Sequence, residues 1–158
     1  MSPPASRSEA HQVSDVAAAF GVDVTRLLSI LPDGVRRFDL SGDPRESGGD
    51  ANAVVWLAAG DPILVLVGMA VATHEAVVAE PMVTWHSQSP VVTVVRDARC
   101  RLDDDGLENW LEAEINSAKR SRQTTFRTCD RCSRDTPPEW MLDDGLCQTC
   151  SEQDGVVF

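Results

Sequence analysis

No tyrosine occurs among the 158 residues of this chain, and phenylalanine and tryptophan number four each. With aromatics at 5% and hydrophobic residues at 42%, the core has to be built from aliphatic side chains, and valine and alanine crowd the middle of the sequence. Positive charge is also scarce: 14 Lys and Arg stand against 25 Asp and Glu, a formal net charge of −11. The deficit is uneven. Residues 1–118 hold 8 basic and 18 acidic side chains, net −10, whereas residues 119–158 hold 6 and 7, net −1. An acidic body repels nucleic acid and anionic membrane at long range and favours solubility.

No apolar run reaches membrane-spanning length. The longest, residues 62–73, is bounded by Asp61 and His74 and falls short of the roughly 20 residues a helix needs to cross a bilayer. The opening MSPPASRSEAHQVSD has no basic segment followed by an apolar one, so an export signal is not expected. These absences lead to the expectation of a soluble, cytoplasmic protein with no membrane partner. In reducing surroundings, clustered cysteines bind metal rather than pair as disulfides.

Signatures of catalysis are missing as well. There is no Gly-x-Ser-x-Gly elbow and no glycine-rich phosphate loop. Of three histidines, His11 falls in the opening segment, and His74 beside Glu75 reads as a buried pair or a turn. His86, with Ser87 and Ser89 close by, is the nearest approach to a hydrolase-like site. No acid is placed to orient it, and enzymatic activity is not expected.

What is present divides the chain in three: a disordered tail over 1–12, an α+β domain over 13–122, and a small module over 123–158. Residues 13–31 read as helical, with Gly21 breaking them into two short helices. Ala17, Gly21 and Leu27 have helix-turn-helix offsets, but Thr25, Arg26 and Ser29 are a poor set for reading base edges, so a plain helical corner is the expectation. After a short strand over 35–40, the segment SGDPRESGGDAN at 41–52 reads as an exposed loop. Candidate strands follow at 54–58, 63–69, 76–80, 82–86, 91–96 and 99–102. The links between them are too short for crossover helices, so the sheet is mostly antiparallel. Residues 63–67 are apolar throughout and belong at its centre. Cys100, alternating with Arg99 and Arg101, reads as an inert core thiol. A helix over 104–122 places Leu107, Trp110, Leu111, Ile115 and Ala118 on one face, with Trp110 as the expected anchor on the sheet.

The strongest signal lies in TCDRCSRDTPPEWMLDDGLCQTC. Cys129 and Cys132, then Cys147 and Cys150, form two pairs with two residues inside each and fourteen between them. Four thiolates at about 2.3 Å in a tetrahedron suit zinc; a redox dithiol pair or an iron site are the other readings. No position remains open for water, so the metal is expected to be structural, supplying the folding energy that a module of about 35 residues cannot gain from its core. Residues 139–142 are expected to form a small apolar cap, and the stretch after Cys150 a short helix stopped at Gly155.

The four cysteines, with Thr136-Pro137-Pro138-Glu139 between the pairs, resemble a treble-clef or zinc-ribbon finger. They are similar to the DksA/TraR-type finger of factors that enter the RNA polymerase secondary channel. The resemblance covers about a fifth of the chain. It implies a zinc-bound knob that recognises another macromolecule, although the gap between pairs is shorter here and the long helical hairpin of that family has no counterpart.

Beside the finger, residues 119–134 carry six basic side chains, Lys119, Arg120, Arg122, Arg127, Arg131 and Arg134, against the single acid Asp130, with Phe126 among them. Such a strip can hold phosphates and stack a base. The favoured reading is that it complements the helix C-terminus, the thiolate charge and the acidic body, with Phe126 packed under the finger. The reading reached is a non-enzymatic zinc-binding adaptor or regulator with a protein partner. Nucleic acid along 119–134 is the alternative, and a small hydrolase near His86 a distant third.

Overall fold

The computed structural model describes residues 7–38, 54–87 and 89–153. The loop expected over 41–52, residues 1–6 of the expected tail and Gly155 lie outside the described residues.

The chain opens with α1 (Arg7–Phe20), which begins inside the stretch expected to be disordered. Val13, Val16, Ala17 and Phe20 recur at helical spacing and are all buried, and that apolar stripe is the inner face of the helix. Gly21 ends α1 at φ +67°. Its amide donates to Ala18 O at 3.1 Å and that of Val22 to Ala17 O at 3.1 Å, the paired bonds of a left-handed helix cap. Asp23 then caps α2 (Val24–Ile30) by accepting from the Arg26 amide at 3.0 Å. Arg26 reaches across to pair with Glu112, so α2 is a corner braced on a neighbouring helix.

Five strands form one antiparallel sheet in chain order: β1 (Arg36–Phe38), β2 (Val54–Ala59), β3 (Val65–Ala70), β4 (Glu75–His86) and β5 (Ser89–Arg101). The α+β class and the antiparallel pairing are as the sequence indicates. β3 is central and almost wholly buried. Its alternate side chains serve two cores. Val65 and Val67 join Leu57, Ala76 and Val78 beneath the helices, while Leu66 and Ala70 face the other way with Trp56, Val77 and Ala79. Gly68 leaves room for Trp56: a Cβ there would stand 2.8 Å from the indole Cε3 and 2.7 Å from Val54 Cγ1.

Two pairs of expected strands prove to be single ones. Residues 76–80 and 82–86 are continuous through Pro81 in β4, and 91–96 and 99–102 are continuous in β5. β3 pairs with β4 only as far as Ala79, so Pro81 lies where no donor toward β3 is required. Glu80 faces Arg96 and Pro81 faces Val94, leaving Val95 as a one-residue bulge. That bulge is what interrupts the alternation of β5. The outer halves of β4 and β5 therefore run on beyond the sheet as a two-stranded arm. β5 is the last strand, and among the described residues no strand pairs with its outer side.

α3 (Leu107–Thr124) lies across β3, β4 and β5. It starts three residues later than expected, because Asp104 is spent on a turn: its Oδ1 accepts from the Gly106 amide at 2.7 Å. Leu111 and Ile115 are the fully buried anchors. Trp110, expected in that role, only packs partly buried at the margin of the core.

Candidate metal centre

α3 runs directly into the C-terminal module. β6 (Arg127–Thr128) and β7 (Asp135–Thr136) form a two-stranded ribbon around the first cysteine pair. A short turn of 3-10 helix (Pro138–Trp140) follows, and α4 (Gln148–Glu152) carries the second pair. Within the first knuckle the Cys129 amide donates to Arg134 O at 3.0 Å and the Ser133 amide to Cys129 O at 2.9 Å. Ser133 takes φ +55° to close the loop. Cys147 caps α4, its carbonyl accepting from the amides of Cys150 and Ser151 at 3.0 Å each. The two knuckles are tied together by the Asp130 amide on Gly145 O at 3.1 Å. Gly145, at φ +84°, passes so close to the Asp130 carboxylate that a Cβ would collide with it.

This framework brings the Sγ atoms of Cys129, Cys132, Cys147 and Cys150 within 4.8 Å of one another. Cys132 and Cys147 stand 3.9 Å apart, close to the ~3.8 Å edge of a tetrahedron with 2.3 Å metal–sulfur bonds. All five cysteines are unbridged. Three of the four cysteines are buried and Cys132 is half-buried, with Met141 and Leu146 packed against the cluster. Of the expected cap over 139–142, Met141 packs on the cluster and is joined there by Leu146, while Glu139 turns toward the body and Trp140 stays 39% exposed. The fit to a metal ion is good: the donors are all soft sulfur, they converge, and four of them fill a tetrahedron without an open position.

The electrostatics suit thiolates. The amides of Cys132 and Cys147 donate to Cys129 and bring its thiol down to about 6; the Cys147 amide stands 3.2 Å from that sulfur. Arg134 Nε, 3.5 Å from Cys132 Sγ, lowers the Cys132 thiol too. Cys150, sharing hydrogen bonds with the other sulfurs, first of all Cys147, and shut away from water, is pushed up to about 12. A bare cluster therefore resists complete ionisation, and a bound cation is what would stabilise four thiolates together. Cys100 is not part of this: it sits in β5 against the main core, and burial raises its thiol.

The basic strip is largely engaged within the chain. Arg122 is 3% exposed. It pairs with Glu139 at 2.5 Å, donates to Ile63 O at 3.4 Å and to Thr125 Oγ1 at 3.3 Å, and lies 5.6 Å above the Phe126 ring. Arg122 is therefore a buried strut, which corrects its reading as a phosphate contact, and half-buried Phe126 is the platform beneath it. Arg131 donates to Cys150 O at 3.0 Å and Arg134 is held on Cys132. Lys119 is half-buried; Arg120 and Arg127 are exposed. His86 stands exposed at the tip of the β4–β5 arm, where it is the ladder partner of Ser89 across the hairpin turn. His74 occupies an exposed turn at φ +56°.

The junction between body and finger was not visible in the sequence. Glu139 accepts twice: its carboxylate holds Arg122 of α3, and its backbone carbonyl accepts from Trp85 Nε1 at the far end of β4, at 2.7 Å. Only the charge of Glu139, isolated behind Pro137-Pro138, hinted at a specific role.

No family model, curated protein or solved structure matches this chain.

Proposed function

We propose that this protein is a non-enzymatic, cytoplasmic zinc-binding adaptor or regulator that recognises a protein partner through its finger and the surface fixed to it. The observation that carries the reading is the closed four-cysteine cluster, held rigidly against the acidic body through Glu139. Zinc is the ion of choice for a compact all-thiolate tetrahedron in a small module, and the knuckle, ribbon and short helix carrying the second pair support a treble-clef arrangement. A metal without an open position serves shape rather than chemistry. Nucleic acid along 119–134 is the weaker reading, because Arg122, Arg131 and Arg134 already serve internal contacts and the body is strongly acidic.

Two measurements decide. Metal analysis with thiol titration is expected to give one zinc per chain and four zinc-protected thiols; a metal-free chain would sink the reading. Affinity capture with the zinc-loaded chain and with Cys150→Ser is expected to lose specific protein partners in the variant. An unchanged set of partners, or retention on nucleic acid that falls with salt, would replace the proposal.

A further inference from the structure

A cleft of about 350 Å³ opens where the β4–β5 arm meets the finger. Its walls include Trp85 and Val83 of β4, Val92 of β5, and Glu139 and Trp140 of the finger. Both indoles are substantially open, 48% and 39% exposed, although a chain with so few aromatics has every reason to bury them. Neither is loosely placed, since Trp85 is pinned by its N–H to the Glu139 carbonyl and Trp140 closes the 3-10 turn. Glu139 adds a second anomaly. Its side chain is 3% exposed, one carboxylate oxygen is on Arg122, and the other, Oε2, accepts no hydrogen bond. A buried carboxylate oxygen without a donor is costly, and this one has no exposed surface, so it acts on the cleft through its charge rather than by direct contact.

We propose that this cleft captures a lysine or arginine side chain presented by a protein partner. The aliphatic stem would lie among Val83, Val92 and the two tryptophans, and the cationic head would sit against the electron-rich indoles, with the Glu139 carboxylate buried in the wall behind. Charge supports a cation over a neutral donor: the body carries most of the net −11, which draws positive groups toward it. At the cleft's edge Arg36 and Asp61 cancel formally, and Arg36 is tethered toward the Gly60 carbonyl at 3.5 Å. The inference rests on the adaptor reading only in taking a protein as the source of the side chain.

The test uses the full zinc-loaded chain and four peptide amides: acetyl-Gly-Lys-Gly, acetyl-Gly-Arg-Gly, the Nζ-acetyl-lysine form, and acetyl-Gly-Glu-Gly. Indole N–H signals of the tryptophans are followed by NMR. The Lys and Arg peptides are expected to shift Trp85 and Trp140 saturably while Trp110 stays still, binding roughly ten-fold tighter than the acetylated peptide. Trp140→Ala should abolish the difference, and Trp85→Ala gives an independent check if that variant is unstable. Equal binding of the acetylated peptide, preference for the Glu peptide, or no saturable shift at tens of millimolar would overturn the proposal. Partner capture that survives Trp140→Ala would likewise remove the cleft from recognition while leaving the adaptor reading intact.

Discussion

Glu139 and Arg122 are both 3% exposed at their side chains, so each is the other's main compensation for lost hydration. Removing one partner of a buried pair leaves a stranded charge and costs about 3–5 kcal/mol. Glu139→Ala and Arg122→Ala are therefore each expected to lower the urea midpoint strongly. The double variant Arg122→Met, Glu139→Leu should recover most of the loss, which a double-mutant cycle measures directly. Neither partner was legible as such beforehand: they stand 17 positions apart in the chain, and charge in a basic strip gives no sign of burial. The cysteines were legible because ligand spacing is local, fixed by knuckle geometry within a few residues. Gly68 makes a second residue-level case. A methyl group there meets Trp56 and Val54 at under 3 Å, so Gly68→Ala should cost about 1–3 kcal/mol, read as a lowered unfolding midpoint with a changed Trp56 environment.

The helices followed from apolar periodicity, which survives wherever an element has one wet and one dry face, and the central strand from an unbroken apolar run, the mark of burial on both faces. The arm did not. Pro81 looks like a boundary because proline cannot donate to a ladder, yet β3 has already ended there, and the Val95 bulge scrambles the alternation that would have joined the halves of β5. The finger's elements are too short to hold themselves: β6 and β7 have two residues each and α4 has five. Chelating the metal, or Cys132→Ser, should therefore erase amide protection across residues 127–152 while β2, β3 and the first half of β4 keep theirs, as hydrogen exchange would report. Retained protection in the finger after chelation would show that metal does not organise it.

The two parts also act on each other, because the finger supplies the counter-charge for a residue buried in the body. Withdrawing the metal should lower the body's own stability, by roughly 3 kcal/mol if Arg122 is left without its carboxylate, and the Arg122→Met, Glu139→Leu chain should lose that sensitivity. A chelator-independent melting point for the body would contradict this coupling. The junction depends on contacts between residues as far apart as Trp85 and Glu139, which is why the sequence could indicate two units but not how one braces the other. The outer side of β5, which no strand covers among the described residues, has a consequence of its own. Its Arg99 and Arg101 end is guarded by charge, while the end bearing Val91, Val94 and Val95 is open and apolar. That half is a template on which a sister chain can lay a strand, so heat-induced clumping of this protein should nucleate there and show intermolecular β-structure before the helices melt.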